Sequence, residues 1–143
     1  MSYGYTGKIL RINLSEQNFS VEKLDDKFYR KYFGCSCLGA FFILKELNPL
    51  TEPLSSENML IFSTSPITGI SCPGTAMHNV ITKSPLTNLI AESTTPGYFG
   101  PMIKKAGFDA IIIKGKASEP VYLLIENSNI KILKANDLWG KTT

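Results

Sequence analysis

Few side chains in this sequence are equipped for chemistry. Cys35-Ser36-Cys37 places two thiols around one residue, and Cys72 follows alone. Two thiolates can begin a metal site, but a closed tetrahedral site takes about four ligands. The same spacing suits small residues packed at a tight turn. These thiols fall where a helix is expected to start, a position that can lower a cysteine pKa. His78 is the chain's single histidine. It reads either as a strand residue facing solvent or a loop, or as a catalytic base. No carboxylate pair stands out as acid and base. On these grounds neither a catalytic residue nor a metal-ligand set is assigned.

The strongest local signal is a pair of loops rich in Gly, Ser, Thr and Pro, Ser65 to Ala76 and Ser93 to Gly97. Small residues let a ligand approach the backbone, and loop amides can face anionic oxygens. The second loop opens a helix, whose N-terminus favours a phosphate. Turn chemistry alone also explains these residues.

Hydrophobic periodicity supplies the elements that must hold these loops. Lys8 to Leu14 and Phe19 to Leu24 alternate as strands around the polar turn Ser15-Glu16-Gln17-Asn18. Asp25-Asp26 offers an N-cap to a short helix from Lys27 to Phe33, which Gly34 ends. A second helix runs from Cys37 to Leu47. Its apolar residues surround the axis, so burial is expected, with Phe41, Phe42 and Leu44 in the core. Strands follow at Met59 to Ser63, His78 to Thr82 and Asn88 to Glu92. Tyr98 to Ala106 reads as a helix, with Gly107 placed to cap it. Ala110 to Lys114 is a continuous apolar run, a central buried strand carrying Ile111, Ile112 and Ile113. Val121 to Glu126 and Ile130 to Lys134 form a closing hairpin around Asn127-Ser128-Asn129. The order is α+β, sheet-rich, with first and last hairpins alike enough to suggest two related halves.

Composition excludes several classes. The 143 residues are 43% hydrophobic and 19% charged, enough for one domain with a real core. A net charge of +3, with no basic run longer than Lys104-Lys105, argues against nucleic acid. No stretch approaches the about 20 apolar residues that span a bilayer. The start Met1-Ser2-Tyr3-Gly4-Tyr5 lacks the pattern of a signal peptide. Three cysteines make no disulfide framework, which fits a reducing cytoplasm.

Several segments together resemble the aldehyde:ferredoxin oxidoreductase family. They are the run from Tyr3 to Ser15, Pro66-Ile67-Thr68-Gly69, Asn79 to Thr87, Gly97-Tyr98-Phe99-Gly100, and Lys105 to Ala117. The resemblance covers almost the whole chain. It implies an N-terminal domain of two related β-α-β repeats, here over residues 1–143 with the second repeat truncated. It also implies that such a domain seats a tungsten bis-pterin whose phosphates are bridged by magnesium. In the family, later helical domains complete the site, bind a [4Fe-4S] cluster and pass electrons from aldehydes to ferredoxin. By the resemblance, the cofactor-binding positions are Asn79, Thr94, Thr95 and Gly97, through side chain or backbone.

The sequence departs from the family where it matters. Met77 stands where the family carries an arginine on pterin phosphate, Thr94 where it carries asparagine, and Pro96 at a small or glycine position. The family's Gly-x-Arg-Gly is Gly34-Cys35-Ser36-Cys37. Methionine cannot replace the planar, permanently charged clamp of arginine. The expectation is a pterin-seating part that is inactive alone and holds no cofactor by itself. It would depend on self-association, through an open strand edge such as Val121 to Glu126, or on a partner chain bearing the missing helical domains. The alternative is a degenerate, non-catalytic scaffold or interaction protein that keeps the fold.

Overall fold

The computed structural model describes residues 4–126 and 129–142. The chain start Met1–Tyr3, the expected turn residues Asn127-Ser128, and Thr143 lie outside the described residues. Among those described there are eight strands and three helices. The first hairpin pairs β1 (Lys8–Asn13) with β2 (Asn18–Lys23) in register from Lys8↔Lys23 to Asn13↔Asn18. Helix α1 (Asp26–Tyr32) begins on the Asp25 carboxylate, which accepts from the Phe28 amide at 2.9 Å. Its end at Phe33 and the start of α2 (Cys35–Glu46) are separated only by Gly34, whose φ of 113° suits glycine alone. A Cβ there would sit 2.5 Å from the Thr64 carbonyl oxygen, so this reversal packs directly on the sheet.

Strands β3 (Met59–Thr64), β4 (His78–Lys83) and β5 (Ile90–Thr95) form an antiparallel meander. Helix α3 (Phe99–Lys105) leads into β6 (Ala110–Lys114), and β7 (Val121–Glu126) pairs β8 (Asn129–Lys134). The main sheet has six strands in the order β2-β1-β6-β3-β4-β5, and β7-β8 is a separate two-stranded sheet. Only β1 and β6 run parallel in the main sheet. The fold is therefore sheet-rich α+β, with β6 central as its apolar run requires.

Alternation divides the core into two layers. On one face Ile9, Met59, Ile61, Ile81, Ala110 and Ile112 pack under Leu38, Phe42 and Ile43 of α2. On the other, Leu10, Ile12, Phe108 and Ile111 pack with Ile103 of α3 and with Ile130. Gly39 brings α2 onto β4, since any Cβ there would overlap the Ile81 side chain. The breadth of apolar residues on α2 overstates its burial. Phe42 is 0% exposed, Phe41 is half-buried against Phe28 and Tyr32, but Leu44 is 76% exposed. The sheet covers one side of the helix, and Leu44 points away from it.

The bounds of β5 also differ from expectation. β5 starts and ends later than Asn88 to Glu92, because Asn88 (φ 58°) still belongs to the turn closed by the Ser84 amide on the Leu89 carbonyl. Ser93, Thr94 and Thr95 are thus edge-strand residues rather than loop.

At the Thr64 end of β3, Asp109 ties down Thr6 and Gly7 ahead of β1. Its carboxylate accepts from the amides of Thr6 and Gly7, from the Thr6 hydroxyl, and from Lys104 Nζ at 2.6 Å.

Candidate functional site

The expected site residues converge at one end of β4 and β5. Asn79 on β4 lies opposite Thr94 on β5, and His78 lies opposite Thr95. Alternation sends Asn79 and Thr94 to the α2 face and His78 and Thr95 to the α3 face. Asn79 is 4% exposed. Its Nδ2 donates to Thr94 Oγ1 at 2.8 Å, to Ser36 Oγ at 3.2 Å and to Glu92 Oε1. The Ser36 hydroxyl donates to the same Glu92 oxygen. Thr94, Thr95 and Gly97 are exposed. β5 is an edge strand, so alternate backbone N–H and C=O groups point outward from it. Gly97 follows in the turn to α3 with φ 115°, and a Cβ there would meet nothing within 4 Å. A ligand can reach the backbone at that point.

The Ser65 to Ala76 loop is less available than its composition suggests. Its amides at Thr68, Gly69, Ile70 and Cys72 already donate to carbonyls within the loop. Thr68 Oγ1 accepts from the Ser65 amide and donates to the Met77 carbonyl, both at 2.9 Å. Thr75 Oγ1 donates to the carbonyls of Ile70 and Cys72. The loop is a braced wall, held to α3 where Gly100 packs on His78, Thr68 and the Met77 carbonyl.

His78 does not face solvent. It is 3% exposed, with its ring 5.1 Å from that of Phe99. Burial pushes its pKa down, so the imidazole stays neutral near pH 7. Cys35 is half-buried, and burial pushes its thiol pKa up against the opposing hydrogen bond from Ser65. The helix start therefore does not make it a reactive thiolate. Cys37 and Cys72 are exposed. Among the described residues no group of three or more His, Cys, Asp or Glu is placed to hold a metal ion.

Met77, two residues ahead of Asn79, is 45% exposed. Among the described residues, Glu92 has no salt-bridge partner; the ion pairs engage Arg11, Lys104, Lys114 and Lys134 instead. A separate concavity lies elsewhere. It is an apolar groove of about 920 Å³ on the α3 face, lined by residues such as Phe62, Met102, Ile113 and Leu124.

The family model described as aldehyde ferredoxin oxidoreductase, N-terminal domain, matches residues 9–143. This chain belongs to the aldehyde ferredoxin oxidoreductase family. It is 49% identical, over 97% of its length, to the tungsten-containing aldehyde ferredoxin oxidoreductase of Pyrococcus abyssi. It is 37% identical over 96% of its length to the aliphatic sulfonate oxidoreductase, WOR-like subunit, of Pyrococcus furiosus. The chain spans 23% and 22% of those two relatives. Among solved structures it is similar to the active site complex BamBC of benzoyl coenzyme A reductase, in complex with 1,5 dienoyl-CoA. That match has a TM-score of 0.94 and 35% identity, and covers 98% of this chain and 21% of the other. As an N-terminal domain of this family, the chain brings Asn79 and Thr94 together at the end of the sheet, places Thr95 on the opposite face, and leaves Gly97 open beyond them. Sequence reading missed Ser36 and Glu92. A polar residue at each end of long apolar or turn-rich stretches carries no signal until the helix and the edge strand are superposed. No helix among the described residues is long and apolar enough to cross a membrane.

Proposed function

We propose that this chain is the pterin-seating part of a tungsten-dependent, aldehyde:ferredoxin-type oxidoreductase. The observation that carries this reading is the juxtaposition of buried Asn79 with Thr94, beside the open backbone of Gly97. Asn79, Ser36, Thr94 and Glu92 offer neutral hydroxyl and amide groups and one carboxylate, which fit the nitrogen-bearing edge of a pterin. The backbone groups that point outward in alternation along β5 at Thr94 and Thr95, with Gly97, offer contacts to phosphate or to a magnesium ion on it. When bound, the tungsten pterin supplies the redox chemistry. The side chains here hold and orient it, and α2 shields the inner side of the seat from water.

Catalysis on this reading needs more than these 143 residues. Three cysteines fall short of the about four thiolates that hold an iron-sulfur cluster. The remaining centres, and the docking of ferredoxin, come from other chain segments, from a partner chain, or through self-association, in a cytoplasmic complex. One observation favours a second reading, a non-catalytic scaffold that keeps the fold: exposed Met77 supplies no charge to a phosphate.

Amide-shift mapping of the full chain during titration with 6-hydroxymethylpterin diphosphate tests the seat. The expected perturbations centre on Asn79, Thr94, Thr95 and Gly97. Perturbations confined to the apolar groove near Met102 and Leu124, or none at millimolar ligand, contradict it.

A further inference from the structure

We infer that the apolar groove on the α3 face is an interface between two copies of this chain, in which Lys105 of each copy pairs with Glu126 of the other. The inference does not draw on the pterin seat, whose side chains Asn79 and Thr94 point to the α2 face.

Two stripes of side chains border the groove. On α3, Gly100 and Ile103 are buried against the rest of the fold. Phe99, Met102 and Lys105, three residues apart, therefore follow one another along the outer surface of the helix. Phe99 is 50% and Met102 55% exposed, and Lys105 is exposed beyond them. On β7, alternation puts Tyr122, Leu124 and Glu126 on one face of the strand. Tyr122 and Glu126 are exposed and Leu124 is half-buried. Phe62 and Ile113 of the main sheet complete the apolar lining. Each stripe thus carries two large side chains and then a charge, and the two charges are opposite.

Neither charge is spent within the chain. The ion pairs among the described residues engage other groups, so Lys105 and Glu126 line the same groove without a salt-bridge partner there. An amphiphile with one charged end meets attraction at one of them and repulsion at the other. A second copy brings both charges at once. Under a two-fold axis the α3 stripe of each copy lies along the β7 stripe of the other. Both Lys105–Glu126 pairs then form together, and one patch serves on both sides. Met102, unbranched and flexible, can fill an irregular groove of about 920 Å³. Burial of the exposed rings and of Met102 supplies the driving force, and the paired charges set the register.

The test is sedimentation equilibrium of the full chain from micromolar to millimolar concentration. The unaltered chain should form dimers and nothing larger, because a two-fold interface closes on itself. Lys105→Glu and Glu126→Lys, each alone, should raise the dimer dissociation constant about tenfold or more, since each sets two like-charge contacts where two attractive ones stood. Mixed in equal amounts, the two single variants should pair with each other. Lys105→Glu and Glu126→Lys combined in one chain should return the homodimer to within about threefold of the unaltered affinity. Both positions are exposed, so the melting temperature of the monomer should stay the same. A chain that is monomeric at every concentration overturns the inference. So does a dimer indifferent to both single reversals, which places the pairing on another surface such as the open edges of the β7–β8 sheet. Single variants that weaken the dimer and are rescued neither by mixing nor by the double exchange overturn it as well.

Discussion

Asp109→Ala should lower the unfolding free energy by about 3–5 kcal/mol, the range seen when one member of a buried ion pair is removed. The Asp109 side chain is 3% exposed and that of Lys104 is 14% exposed, with 2.6 Å between Nζ and Oδ1. The carboxylate also accepts from two amides and a hydroxyl of Thr6 and Gly7. Alanine leaves those donors without an acceptor and a nearly buried ammonium whose remaining contact is the Gly4 carbonyl. The segment before β1 then loses its tie to the loop between α3 and β6. Urea unfolding followed by circular dichroism measures the change. A loss below about 1 kcal/mol would mean that water replaces the network at little cost.

Phe42→Ala should cost about as much, 3–5 kcal/mol by the usual range for buried aromatics. The ring is wholly buried between α2 and the sheet. It packs edge-on against Phe41 at 5.1 Å between centroids, and the Arg11 guanidinium lies 5.0 Å from its centre. Arg11 is itself held by Glu22 on β2 and by both carboxylate oxygens of Glu46 on α2. A cavity here therefore loosens three elements at once. Leu44→Ala, two residues away but exposed, should change stability by less than about 0.5 kcal/mol. Comparable losses for the two variants would contradict the placement of α2.

The contrast between Phe42 and Leu44 shows what periodicity carries and what it omits. An apolar helix announces that some face is buried. Which face depends on where Gly39 lets the helix touch Ile81, and this is a tertiary fact. The central position of Ile111 and Ile112 was legible because an uninterrupted β-branched run suits a strand covered on both faces. The late start of β5 was not, because the left-handed turn at Asn88 looks like the first residue of a strand. At the site, the nearness of Asn79 and Thr94 was legible only through family resemblance. The buried state of His78 followed from the docking of Phe99 and Gly100, and nothing in the local sequence signals it. Asp109 shows the same limit in reverse. The segments Thr6-Gly7-Lys8 and Phe108-Asp109 are separately ordinary, and their chemistry exists only where they meet.

The central claim is that the end of β4 and β5 seats a pterin and its phosphates, weakened by the methionine at position 77. Titration of the full chain and of Met77→Arg with inorganic pyrophosphate, at low and moderate salt, tests it most directly. Binding should tighten about tenfold or more in the arginine variant, since a charged hydrogen bond contributes about 1.5–3 kcal/mol and about 1.4 kcal/mol is one decade. The gain should shrink as salt screens the exposed charge. Unchanged pyrophosphate affinity in a correctly folded Met77→Arg chain would contradict the seat and favour the scaffold.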